Sequence, residues 1–142
     1  MMSAVHALTG AALGRLCRTR RQAFLLGALS HLAADMLPHR DLDIPAEAAL
    51  LSGALAVVAG AAGSESPEFA GAVGAAFPDV ENLIGRLAGI PENRLLIPTH
   101  RGYHGRETES LGLQLALAAG ALLVCLAAPR CKGAPEHGNC CR

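Results

Sequence analysis

Two stretches without a single charge, 48–64 and 110–129, constrain this chain more than any other feature. Each approaches the ~20 apolar residues that a helix needs to cross a bilayer. Neither alternates apolar with polar residues as a half-buried strand does, and no other segment does so convincingly. The sequence therefore reads as all-α. Hydrophobic residues make up 51% of the chain but aromatic ones only 3%, so the core has to be built from Ala, Leu, Val and Gly. Small side chains let helices approach closely, in water or in lipid. With zero formal net charge, no Trp and one Tyr, the chain lacks the basic surface and stacking rings of a nucleic-acid binder.

About five helices are expected, joined in a bundle embedded in a membrane or associated with one. The first spans about 3–16, with Ser3 as a plausible N-cap. The second begins near Thr19 and stops at 36–37, because Pro38 follows. A third starts at Pro45, with Glu47 placed for the N-terminal dipole. The fourth opens at Pro67 and runs to Phe77, where Pro78 interrupts it, and "DVENLIGRLAG" resumes as a short helix. The last covers about 108–128 and ends before Pro129.

A length of 142 residues suits one domain, taken as 1–129, followed by a short polar, disordered tail at 130–142. Cys131, Cys140, Cys141 and His137 in that tail match no zinc-finger spacing, and the five cysteines form no regular disulfide framework. "MMSAVHALTGAALG" precedes its positive charges instead of following them, unlike a cleaved signal, so this segment is expected to persist.

Cytoplasmic flanks of membrane helices are rich in Lys and Arg. Arg15, Arg18, Arg20 and Arg21 lie between helices one and two, and Arg130 and Lys132 follow the last helix. Four crossings, by helices two to five, put loop 15–21 and the tail on the cytoplasmic side. An up-and-down bundle then gathers the start of helix one, the ends of helices two and four and the start of helix five at the opposite end. His6, Asp35, His39, Asp79, His100 and His104 fall there.

"HLAADMLPH" sets His31 and Asp35 four apart, on one helical face, where an imidazole nitrogen and a carboxylate oxygen can share a divalent ion. The same two residues can also satisfy each other by a hydrogen bond. Burying them unpaired in "FLLGALSHLAADML" costs several kcal/mol, roughly, which a metal ion compensates. In "AAFPDVENL", Asp79 reads equally as a ligand or as a cap after Pro78, and Glu81 as a cap or a solvated group. "PTHRGYHGRE" offers His100 and His104, with Arg101 and Arg106 suited to a phosphate or carboxylate; it also reads as a solvated loop. Several imidazoles with carboxylates point to Zn, with Mn or Fe as alternatives, and the number of ligands to two or three ions.

"HALTGAALG", "GALSHLAADMLPHRDLD", "GAVGAAFPDVEN" and "HRGYH", in this order, resemble the bacterial predicted membrane-bound metal-dependent hydrolases. More distantly they resemble zinc-dependent phospholipase C, an all-helical fold with clustered His and Asp ligands. The likeness covers about 4–128. It implies His6, His31, Asp35, His39, Asp79, His100 and His104 as the metal set. The late motif departs from the family pattern, since His104 comes one residue early and Gly105 stands in place of Ser.

The expectation is hydrolysis of a phosphoester or another ester, from a small molecule or a lipid, by metal-activated water. Asp79 would bridge ions or act as base, and Arg101 or Arg106 would bind the substrate anion. Two alternatives stand beside it: a small membrane protein with a metal-binding or structural role and no turnover, and a soluble bundle whose His and Asp satisfy each other.

Overall fold

Local capping signals start three of the helices. Thr19 Oγ1 accepts from the Gln22 N–H at 3.2 Å, Asp43 Oδ1 from Ala46 N–H at 3.0 Å, and Ser66 Oγ from Phe69 N–H at 3.0 Å. Each satisfies one of the orphan donors that open a helix. A computed structural model describes residues 1–96 and 111–127, the side chains of Arg86 and Glu92 apart. It contains α1 (Ser3–Gly14), α2 (Arg20–Asp35), α3 (Ile44–Ala62), α4 (Pro67–Leu87), a 3-10 turn (Glu92–Arg94) and α5 (Gly112–Ala127). Among the described residues there is no strand.

The first helix is capped differently from the sequence expectation. Ser3 lies inside α1, and the preceding Met2 makes no side-chain cap. Glu47, on the first turn of α3, does the work instead: its Oε2 accepts from Ser3 N–H at 2.8 Å and its Oε1 from Leu42 N–H at 3.1 Å. Losing a cap costs about 1 kcal/mol, and here two backbone donors depend on one carboxylate. Glu47→Ala is expected to lower stability by about 1–2 kcal/mol, seen as a shift of the urea midpoint, with Glu47→Gln losing less because it keeps one acceptor.

A second departure concerns α4, which runs unbroken through Pro78. A proline inside a helix removes the N–H that would bond four residues back, at Gly74, and crowds that carbonyl, at roughly 3 kcal/mol. Tertiary packing overrides this. A Cβ at Gly10 would lie 2.3 Å from the Gly71 carbonyl oxygen, one at Gly27 2.2 Å from the same oxygen, and one at Gly74 2.2 Å from the Phe24 oxygen. The backbones of α1, α2 and α4 therefore touch at one three-way crossing that only glycine permits. Buried Ala7, Ala11, Ala72 and Ala76 extend the close contact.

Pairwise contacts set the directions of the helices. Glu47 joins the start of α3 to the start of α1. The Met2 N–H donates to Gln114 Oε1 at 3.0 Å, joining the start of α5 to the same end, while Arg15 Nη1 donates to the Cys125 carbonyl at 2.8 Å at the other. Helices α2 and α4 run against α1. The result is an up-and-down bundle with α1 at its centre. Arg20 pairs with Glu65 at the end where Arg15 meets Cys125.

Of the described helices only α3 is long and apolar enough to cross a membrane. Within α3 just Ala54 and Val58 are buried, and Leu50 and Val57 face outward, as do Leu25 and Leu29 on α2 and Leu123 and Val124 on α5. The four crossings expected from sequence thus narrow to a single helix that meets the requirement.

Candidate metal centre

The glycine crossing positions the polar residues above it. His6 lies one turn from Gly10 on α1, His31 one turn from Gly27 on α2, and Asp79 two turns from Gly71 on α4. Because the backbones touch at the crossing, side chains a turn or two away from it converge. One donor atom from each of His6, His31 and Asp79 lies within 4.8 Å of the others. The two imidazoles stack, with centroids 4.0 Å apart and planes inclined by 29°.

Hydrogen bonds fix the roles of the ring nitrogens. His31 Nδ1 donates to the Ala75 carbonyl at 2.9 Å, in the turn of α4 that Pro78 perturbs. A neutral His31 therefore carries its lone pair on Nε2, the arrangement by which an outer partner prepares a ligating histidine. Around that nitrogen lie Asp35 Oδ2 at 3.2 Å and Asp79 Oδ1 at 3.8 Å. Two carboxylates facing a lone pair repel it unless a cation stands between, either a proton or a metal ion. The residue is 0% exposed, and neither His31 Nε2 nor Asp35 Oδ2 makes a hydrogen bond in spite of their closeness. The donor set is thus one that either a proton or a metal ion can fill.

Asp35 acts as a hub. Its Oδ1 accepts from His6 Nε2 at 2.9 Å and from the Met1 amine at 3.1 Å. Burial acts to raise its pKa, but the contacts with His31 and His6 prevail and hold the carboxyl well below the ordinary carboxylate range. Burial pushes the His6 imidazole down, with the Asp35 bond opposing, so His6 is neutral. At His31 burial also acts downward, yet Asp35, Asp79 and the Ala75 carbonyl together raise the pKa above its usual value. All three groups lie on α1 and α2, outside α3.

A raised His31 pKa gives zinc uptake a definite pH dependence. Ligands must lose their protons before they bind a metal, so metal and proton compete for Nε2. Affinity is expected to fall about tenfold per pH unit below the His31 pKa and to level off above it. Each ion should displace about one proton from His31, measurable as buffer-dependent heat in calorimetry. Binding heat that is independent of the buffer would remove His31 from the ligand set.

The remaining sequence candidates divide. His39 is buried, but its Nδ1 donates to the Leu37 carbonyl at 2.8 Å and its Nε2 lies 3.6 Å from Asp41 Oδ1, so it is not one of the three converging residues. Asp79 sits within α4 and does not begin a helix. Glu81 lies inside α4 and caps no helix start; its Oε1 accepts from the Leu96 N–H of the following loop. His100, Arg101 and His104 lie outside the described residues, as does the tail.

Two residues were missed. Gln114 is fully buried, and its Nε2 donates to the Arg40 carbonyl at 3.0 Å, pinning the start of α5 to this end. Asn82 is also buried, and its Oδ1 has no hydrogen-bond partner. A lone Gln in an uncharged run and an Asn three residues after Asp79 were the available signals. Comparison with protein-family models, with curated proteins and with solved structures finds no match.

Proposed function

We propose that this protein is a metal-dependent hydrolase of a phosphoester or another ester, attached to a membrane through α3. The observation that carries the reading is the convergence of His6, His31 and Asp79 within 4.8 Å in the buried heart of the bundle. His6, His31 and Asp79 would hold a divalent ion, Zn in the first instance and Mn or Fe as alternatives, which would supply polarisation of a phosphoryl or acyl oxygen and a bound water with its pKa lowered to about 7.

The chain supplies orientation and proton handling. Ala75 and Asp35 hold the His31 and His6 rings in place. Asp79 is the least buried of the three converging residues, with its side chain 16% exposed, so it is the one that meets an incoming substrate and takes the proton of the attacking water. Arg101 is assigned the substrate anion, and His100 and His104 the ligands of a further ion, on the sequence pattern alone. The outward apolar residues of α3 suit a lipid ester as much as a small soluble one.

Full burial of His6 and His31 also favours a second reading, a closed structural metal site without turnover. Hydrolysis of a generic phosphodiester by the detergent-purified, zinc-loaded protein separates the two. The hydrolase reading expects turnover that drops by 100-fold or more, roughly the effect of losing a general base, in Asp79→Asn with the helical content kept. Zinc retained without turnover on phosphodiesters or carboxylic esters would leave the structural reading standing.

A further inference from the structure

Asn82 is a polar side chain that the hydrolase reading leaves unused, and its surroundings are unusual. It is 6% exposed, and its amide oxygen has no hydrogen-bond partner. An acceptor left unsatisfied in a protein interior costs about 1–3 kcal/mol, so buried polar groups of this kind call for a specific reason. On α4, Asn82 lies three residues after Asp79, and residues so spaced are neighbours on a helix surface, with Cβ atoms about 5–6 Å apart. On α2, which runs parallel to α4, Asp35 lies one turn past His31. Asn82 and Asp35 thus occupy the next level of the bundle above the His31–Asp79 contact, toward the same end.

Among the buried atoms of this region that lack hydrogen-bond partners are His31 Nε2, Asp35 Oδ2 and Asn82 Oδ1. With His31 Nδ1 donating to Ala75, Nε2 of the neutral ring holds a lone pair. An ionised carboxylate and an amide carbonyl are acceptors only. With His31 neutral none of the three atoms carries a proton, and a proton on Nε2 would serve Asp35 Oδ2, 3.2 Å away, while leaving Asn82 Oδ1 without a donor. A metal ion set between the two levels would give all three a partner.

We propose that Asn82 is an oxygen ligand of the metal centre, its amide carbonyl forming with Asp35 Oδ2 an oxygen-rich side that admits Mn(II) as well as Zn(II). The proposal rests on the metal-centre reading and adds to it a residue and an ion preference. Imidazole suits zinc, whereas carboxylate and carbonyl oxygens suit manganese. Removing a neutral oxygen ligand therefore weakens manganese binding more than zinc binding.

The test is a titration of the detergent-purified full chain with Zn(II) and, separately, with Mn(II), for the natural protein, Asn82→Leu and Asn82→Asp. Leucine keeps the branching and the number of side-chain heavy atoms of asparagine and removes the oxygen. Asn82→Leu is expected to lose about tenfold or more in Mn(II) affinity, the lower end of what perturbing a metal site costs, and distinctly less in Zn(II) affinity. Asn82→Asp, which keeps an oxygen and adds charge, is expected to bind Mn(II) at least as tightly as the natural protein.

Equal affinities in Asn82→Leu and the natural protein would overturn the proposal. So would equal losses for both ions accompanied by a matching fall in the stability of the metal-free protein, the mark of a structural residue. Where Asn82→Leu fails to fold, Asn82→Asp decides: retained or tighter Mn(II) binding supports the assignment, and weaker binding contradicts it. A natural protein that binds neither ion removes the metal centre itself, an outcome separate from one in which both ions bind and only the Asn82 variants are silent.

Discussion

Replacing His31 by alanine is expected to empty the metal centre and to unsettle the bundle around it. His31 touches every component: it stacks on His6, donates to Ala75 and lies within 3.8 Å of both Asp35 and Asp79. Perturbing groups that merely orient a ligand costs about 10–100-fold in metal affinity, so deleting this ligand should cost more than 100-fold. It also leaves the Asp35 carboxylate buried beside Asp79 without the cation that His31 holds there. Breaking a buried charge arrangement by removing one partner destabilises by roughly 3–5 kcal/mol. Metal content after gel filtration and the urea midpoint of the metal-free protein read the two effects separately. A His31→Ala protein that keeps a full equivalent of zinc at unchanged stability would contradict both.

Gly71→Ala is expected to be nearly as damaging, although it adds a single methyl group. Its Cβ would lie 2.2 Å from the Gly10 carbonyl oxygen, so α1 and α4 must part. Overpacking of this kind costs about 1–3 kcal/mol or more. Separation at the crossing carries His6 away from His31 and Asp79, so metal affinity should fall along with stability.

The same substitution at Gly53 or Gly60 on α3, where a Cβ meets nothing within 4 Å, should have the opposite sign. There alanine gains about 0.5–1 kcal/mol from helix propensity. Urea midpoints of the three variants test the contrast, and a Gly71→Ala protein as stable as Gly53→Ala would rule out the three-way crossing.

Much of this was legible because the signals were local or periodic. Thr19 before an apolar run and Pro38 after it bounded α2 within a residue or two. The spacing of His31 and Asp35 placed them on one face, and they lie 3.2 Å apart. The alternation of helix directions brought His6, Asp35 and Asp79 to one end before any coordinate was known.

What escaped depended on partners distant in the chain. Glu47 caps a helix that begins 44 residues earlier, and no local pattern records that. The passage of α4 through Pro78 reverses a local cost by packing against α1 and α2. Asn82 drew no assignment in "PDVENL", because nothing in those six letters tells which side of α4 is covered. Propensity speaks for the isolated chain, and each of these outcomes was decided by a neighbouring helix.

X-ray absorption at the zinc edge of the detergent-purified protein tests the central claim most directly. Ligation by His6, His31 and Asp79 predicts a shell of nitrogen and oxygen at about 2.0–2.1 Å, with the outer scattering of two imidazoles, lost in His31→Ala. A shell dominated by sulfur at about 2.3 Å, as cysteine ligation produces, or a protein that retains no zinc, would contradict it.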